Sequence, residues 1–169
     1  AVAPSQGVGG SQVSIYGTDL QGQGAAVVSV TLSGVTATIV RQSNFLVVVT
    51  AAASPAGAAG AVVLTADSGA VISLATSWTY AAAGDITSVN PASGAAGAFV
   101  TIAGSGLFSG AASIATVTIA DADAEIISQN DTVVVVRAGL IAATGGVTGD
   151  VVLTSVDGSI VTETNGFTY

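Results

Sequence analysis

Cysteine, histidine, methionine and lysine are all missing from this chain of 169 residues. Without cysteine there is no disulfide scaffold and no thiolate metal site, and the redox compartment stays open. Without histidine, cysteine and lysine, nearly every common nucleophile, general base and transition-metal ligand is gone. An enzyme would have to work with Asp, Glu, Ser, Thr, Tyr and two arginines. The expectation is a protein with no catalytic residues and no cofactor.

Charge is scarce as well, at 7% of residues against about a quarter in ordinary soluble domains. Arg41 and Arg137 are the only cations and the formal net charge is −8. Phosphate-backbone binding depends on clustered Lys and Arg that release counterions, so nucleic acid is excluded as a partner. Anionic lipid headgroups are not attracted either. Gly, Ser and Thr interrupt every apolar run well short of the roughly 18 residues a membrane helix needs, so no membrane insertion as a helix is expected. Ala1-Val2-Ala3-Pro4 has neither the basic region nor the apolar core of a signal peptide.

What remains is apolar and small. Hydrophobic residues make up 50% of the chain and the mean hydropathy is +0.79. That is an unusual surface for a free monomer. Either much of the outside is buried against other copies of the chain, or glycans attached through Ser and Thr cover it.

The second feature present is a repeat. Pro4, Gly7, Gly10, Val13, Ile15, Gly17 and Leu20 return as Pro91, Gly94, Gly97, Val100, Ile102, Gly104 and Leu107, each pair 87 positions apart. The same offset pairs Leu32 with Ile119, Ile39 with Ile126 and Gln42 with Gln129. After a two-residue insertion between Ala138 and Gly149 the offset becomes 89. It then carries Gly60, Val62 and Leu64 onto Gly149, Val151 and Leu153, and Trp78-Thr79-Tyr80 onto Phe167-Thr168-Tyr169. Prolines, glycines and aromatics recurring in step mean that the same turns and core positions are used twice. The domains are read as 1–80 and 86–169, joined by a short linker at 81–85. Only Ala1-Val2-Ala3 precedes Pro4, where Ile86 to Asn90 precede Pro91, so the first unit is expected to lack most of its first strand.

Alternating or short β-branched runs between Gly, Ser, Asn and Asp clusters predict an all-β chain. In the first unit strands are expected near Gln12 to Tyr16, Val27 to Leu32, Ala37 to Val40, Phe45 to Thr50, Ala61 to Ala66 and Val71 to Tyr80. The second unit repeats them near Ala98 to Ala103, Ser113 to Ile119, Ala124 to Ile127, Thr132 to Arg137, Gly149 to Thr154 and Ile160 to Tyr169, with an opening strand from Ile86 to Asn90. Seven or so short strands per unit, with turns every eight to twelve residues, predict a two-sheet sandwich.

A strand ending in Pro, then Gly-x-x-Gly, then Val-x-Ile-x-Gly and a closing aromatic-x-Tyr resembles the IPT/TIG domain, an immunoglobulin-like β-sandwich. The resemblance covers both units. It rests on Pro4, Gly7, Gly10, Val13, Ile15, Gly17 and Tyr80 in the first, where Trp78 replaces the usual Phe. In the second it rests on Pro91, Gly94, Gly97, Val100, Ile102, Gly104, Phe167 and Tyr169. It implies spacers and adhesion modules of cell-surface receptors, parts of some transcription factors, or accessory domains of starch-acting enzymes. The basic loops of the DNA-binding branch and any catalytic neighbour are missing here.

Four groups of residues are candidates for a site. Strand alternation would put Asp121, Asp123 and Glu125 on one face, a weak candidate for half of a calcium site, although the usual Asp-x-Asp-x-Asp-Gly loop spacing is absent. Asn130-Asp131-Thr132 is the only N-x-S/T sequon, on a predicted turn, and is a candidate for glycosylation. Phe45 to Val49 and Val133 to Val136 are apolar on both strand faces. They read either as shielded central strands or as a contact surface used twice, with Val47, Val48, Val134 and Val135 at its centre. Tyr16, Trp78, Tyr80 and Tyr169 are candidates for stacking on sugars, but three of the four close a repeat at core-like positions.

These readings predict a non-enzymatic, glycosylated structural protein, at the cell surface or outside the cell, whose partners are copies of itself. Assembly would run head to tail into a fibre or surface layer, with Ala1, Val2, Ala3 and Tyr169 at the contact that completes the first strand. The alternative is an adhesion or spacer segment of a longer surface protein. A carbohydrate-binding accessory module comes third.

Overall fold

The computed structural model describes residues 1–141 and 146–169. The expected insertion between Ala138 and Gly149 falls on a stretch that includes 142–145, outside the described residues. The chain divides into two compact units, Ala1–Ala82 with Asp157–Ser159, and Ala83–Val156 with Ile160–Tyr169. Both are all-β.

The first unit contains β1 (Val2–Ala3), β2 (Gln6–Gly7), β3 (Gln12–Tyr16), β4 (Val27–Leu32), β5 (Val35–Gln42), β6 (Leu46–Thr50), β7 (Ala59–Ala66) and β8 (Val71–Tyr80). Their order is β1-β3-β6-β5-β4-β7-β8-β2. The second unit contains β9 (Asp85–Asn90), β10 (Phe99–Ser105), β11 (Ile114–Ile119), β12 (Ala122–Gln129), β13 (Val133–Arg137), β14 (Thr148–Ser155) and β15 (Ile160–Thr168). Their order is β15-β14-β11-β12-β13-β10-β9.

One strand in each unit belongs to both layers. The first half of β5 pairs with β4, Val30 opposite Ala37 and Leu32 opposite Val35. Its second half pairs with β6, from Thr38 opposite Thr50 to Gln42 opposite Val47. β12 does the same between β11 and β13. This explains why the two strands expected as Ala37 to Val40 and Ala124 to Ile127 are each eight residues long. Their polar ends, Arg41-Gln42 and Ser128-Gln129, continue a ladder that apolar patterning alone did not reveal.

The cores follow from alternation. In the first unit Val13, Ile15, Val47 and Val49 from one layer meet Val30, Leu32, Val62, Leu64, Trp78 and Tyr80 from the other. In the second, Ile86, Val100, Ile102, Val134 and Val136 meet Val117, Ile119, Val151, Leu153, Val161 and Phe167. The repeat extends to irregularities. Register shifts at Val27/Ser29, Ile39/Arg41 and Gly60/Val62 recur at Ile114/Thr116, Ile126/Ser128 and Gly149/Val151. Bulges bend and twist a strand in a defined direction, so keeping all three keeps the shape of the sandwich. Both prolines that stop the first strand follow a cis bond, Ala3–Pro4 and Asn90–Pro91.

Two expected boundaries shift. Asp85, placed in the linker, opens β9 opposite Ser105. The start of the first unit is also less bare than expected. Ala1 exchanges both backbone hydrogen bonds with Tyr16 at 2.7 Å, and Val2 and Ala3 pair with Ile15 and Ser14. These three residues occupy the places of Ser88, Val89 and Asn90. Among the described residues of the first unit, only the pairing that Asp85 and Ile86 make in the second has no counterpart.

Candidate functional site

Strand alternation decides which expected contact residues reach the surface. Val47 and Val134 point into the two cores and are 0% exposed, so neither is available to a partner. Val48 lies on the opposite face of β6, between Ser14 and Arg41 in register, yet it too is 3% exposed. Val135 is half-buried on β13. Val47, Val48 and Val134 are thus shielded as central-strand residues, while Val135 is half-buried and Phe45, at the head of the first run, is 65% exposed. Ala1, Val2 and Ala3 are already paired on β3. Tyr169 packs edge to face on Phe167 at 5.2 Å, and its hydroxyl donates to the Gly139 carbonyl at 3.1 Å. Burial pushes its phenol pKa up.

The aromatic platform does not form. Trp78 and Tyr80 are each 1% exposed and meet edge to face at 5.7 Å. Of the four candidates only Tyr16 is largely open to solvent.

The three carboxylates do not share a face. Ala120 and Asp121 have φ of 47° and 64° and form the two-residue turn between β11 and β12, the counterpart of Ser33 and Gly34 between β4 and β5. Positive φ at both central positions suits a tight hairpin, and Asp tolerates it. Asp121 is thus a turn residue, not the first residue of a strand. Asp123 and Glu125 line an open groove of about 470 Å³, together with Arg137, Gly97 and Gly139. A guanidinium in the same groove opposes a divalent cation, and no group of three metal-ligating side chains occurs among the described residues.

Asn130 is exposed in the turn between β12 and β13. Its Oδ1 accepts hydrogen bonds from Thr132 N, Thr132 Oγ1 and Val133 N at 2.8 to 2.9 Å. Ser43 caps the matching turn of the first unit through Leu46 N.

A surface that the sequence reading missed lies on the outside of the β4-β7-β8 layer. Facing away from the core, Ser29, Thr65 and Val71 stand in one cross-strand row, and Thr31, Val63 and Ser73 in the next. Thr116, Thr154 and Ile160, then Thr118, Val152 and Thr162, repeat both rows in the second unit. The missed signal was alternation in which the non-core positions are hydroxyl-bearing or β-branched, where an ordinary outer face carries charge.

The rim of this layer differs between the units. β8 pairs with β7 over Val71 to Leu74 and again at Trp78 and Thr79, with a register shift between, and on its other side, among the described residues, only Thr79 and Tyr80 are paired, to β2. From Val71 to Leu74 it is, among the described residues, a sheet edge with no charge and no proline, followed by an irregular stretch where Thr76 has a φ of 46° and Ser77 Oγ donates to the Leu74 and Ala75 carbonyls. Val71 and Leu74 are 63% and 45% exposed there. In β15 the residue that takes the place of Leu74 is Glu163. A charge on an edge strand is a common defence against pairing with another chain, and β8 lacks it.

Two sandwiches, antiparallel except for the parallel pairing of β2 with β8 and of Ser93 with Thr168, each with one strand crossing between its layers, define a tandem immunoglobulin-like protein. The IPT/TIG domain matches residues 1–80 and again 85–169, so the chain belongs to the IPT/TIG family. No curated protein matches it. Among solved structures it is similar to the plexin A4 extracellular region, domains 1 to 8, over 100% of its length at 17% identity and a TM-score of 0.64. A plexin A4 structure of domains 1 to 10 gives the same identity, full coverage and a TM-score of 0.67. The chain spans 18% and 15% of those two chains. A Bacteroides ovatus protein, SGBP-B of a mixed-linkage glucan utilization locus, aligns over 96% of this chain and 42% of its own at 18% identity and a TM-score of 0.40. The two plexin A4 structures with this fold are of an extracellular region. Among the described residues no helix is long and apolar enough to cross a membrane.

Proposed function

We propose that the chain is a non-catalytic structural module of an extracellular or cell-surface protein, and that it associates with copies of itself into a fibre or layer. The observation that carries this reading is the unguarded edge of β8. A strand edge offers a row of unpaired N–H and C=O groups, and Val71, Ile72, Ser73 and Leu74 form an uncharged, β-prone segment along it. The adjoining outer face adds uncharged Ser, Thr and Val side chains, which cost little to desolvate compared with charges. Strand addition between copies would satisfy the backbone groups and bury the aliphatic side chains in one step.

The test copies the second unit. Leu74→Glu places at β8 the residue that the fold already carries at Glu163. Sedimentation and light scattering of the unaltered protein should show concentration-dependent association, and Leu74→Glu should remain monomeric with an unchanged melting temperature. A monomeric unaltered protein at high concentration overturns the reading, and so does a Leu74→Glu protein that associates equally well.

A spacer segment of a longer surface protein is the second reading. It is supported by the alignment of the whole chain with a fraction of each plexin A4 extracellular region. In that case the module sets distance between other domains, and it stays monomeric in the same experiment.

A further inference from the structure

We infer that Asn130 is an N-glycosylation site, and that its turn presents the acceptor nitrogen ready for transfer. This rests on the reading that the protein is exported, and it is independent of self-association.

The argument begins with which atoms of the Asn130 amide are in use. All three bonds to its side chain arrive from donors, two of them backbone N–H groups. A backbone N–H can only donate, so the atom it meets is the amide oxygen, and Nδ2 lies on the other side. No hydrogen bond among the described residues uses that Nδ2. Three bonds on Oδ1 fix the plane of the amide and leave the nitrogen free in an exposed turn.

The turn itself is held from behind. Asn130 N donates to Val133 O at 2.8 Å, Leu107 N to Asp131 O at 2.9 Å, and Gly104 N to Thr132 O at 2.9 Å. Asp131 Oδ1 accepts from Phe108 N at 2.9 Å, which turns this carboxylate onto the protein and away from the acceptor. The sequon requirement for a hydroxyl two residues on is met by Thr132, whose Oγ1 is 2.9 Å from Asn130 Oδ1. The first unit builds the same turn on Ser43, which has no amide nitrogen. One unit of the pair would therefore carry a glycan and the other would not.

The donor is an oligosaccharide carried on a lipid diphosphate. Nδ2 forms a bond to the anomeric carbon of the first sugar. The bond from that carbon to the phosphate oxygen breaks, its electron pair leaves with the lipid diphosphate, and one Nδ2 proton passes to a base. The backbone turn is unchanged, because the Asn130 amide supports it through Oδ1 and not through Nδ2.

That division of labour supplies the control. Asn130→Asp keeps an oxygen for Thr132 N and Val133 N and removes the nucleophile. Thr132→Val keeps the shape and removes the hydroxyl. The full chain, fused to a cleavable secretion signal and expressed in a eukaryotic cell that N-glycosylates, should gain the mass of one oligosaccharide. Peptide N-glycosidase should remove it and leave Asp at 130, and both variants should be secreted at the bare mass with unchanged melting. Unaltered protein secreted at the unmodified 16.0 kDa overturns the inference, as does a glycan that survives in Asn130→Asp. Neither result bears on association, which is read on unglycosylated protein.

Discussion

Tyr80 and Tyr169 occupy the same place in the repeat and differ in one bond. The Tyr169 hydroxyl donates to Gly139 O, whereas Tyr80 OH, like Trp78 Nε1 beside it, is buried without a hydrogen-bond partner among the described residues. A hydroxyl taken from water and left unpaired is destabilising, while a paired one adds a net contribution of about 1 kcal/mol. The same substitution should therefore act in opposite directions. Tyr169→Phe should lower stability by about 1 kcal/mol, and Tyr80→Phe should be neutral or stabilising by a similar amount. Trp78, the only tryptophan, lies in the first unit, so its fluorescence in a denaturant titration reads Tyr80→Phe, and calorimetry reads Tyr169→Phe. The pH dependence has a definite sign. Burial raises the Tyr80 pKa above the ordinary 10.0, so above that pH the unfolded chain releases the proton before the folded one. The unfolded state then binds fewer protons, and stability present below pH 10.0 falls as pH rises further. Tyr80→Phe should lose less stability than the unaltered protein in that alkaline range. Asp121 offers a third test: glycine relieves a left-handed L-residue, so Asp121→Gly should raise stability by about 1 kcal/mol in calorimetry.

At the scale of elements, the sandwiches are tied by a side chain that behaves like a piece of strand. Gln42, at the end of β5, accepts from Val27 N at 2.5 Å and donates to Val27 O at 3.1 Å. Gln129 does the same with Ile114 at 2.6 and 3.2 Å. Each amide completes the pairing of the first residue of β4 or β11, where the register shifts. Leucine at either position would leave both backbone groups without that partner in a partly buried setting. Gln42→Leu and Gln129→Leu should each cost about 1–2 kcal/mol in chemical denaturation, the first seen through Trp78 fluorescence. The recurrence of this glutamine was visible in the sequence, but its bond was not, since a polar residue in an apolar pattern looks like surface. The same limit explains the rest. β3, β4 and β8 fall where alternation and turn residues place them, and Val13, Ile15, Val100 and Ile102 are core as their spacing implies. Asp121 was misplaced because a hairpin turn without glycine looks like strand. The β8 edge was missed because nothing local distinguishes an edge strand from a central one; only the pairing order does.

For the whole molecule, the deciding quantity is how few charges oppose association. With a formal net charge of −8 at neutral pH, copies repel one another weakly through their carboxylates, while the outer face of β4, β7 and β8 contributes no charge to that repulsion. Asp19, Arg41 and Asp67 are the only charged side chains in residues 1–80. Asp67 caps Ala25 N at 3.0 Å and Asp19 accepts from Gln23 at 3.0 Å, so both carboxylates sit in turns and neither lies on β8 itself. If apolar burial and strand addition hold copies together, removing the repulsion must strengthen association. Lowering the pH toward the isoelectric point of about 4.1 should increase the mass seen in light scattering, and added salt at pH 7 should act in the same direction by screening. Contacts held by ion pairs would respond oppositely to salt and dissolve. Leu74→Glu sharpens the experiment. Its carboxylate is ionised at pH 7 and should block the edge there, then lose its charge near pH 4, where association should return. A variant that is monomeric at pH 7 and associates on acidification assigns the contact to the β8 edge, and one that stays monomeric throughout assigns the association to Leu74 packing alone.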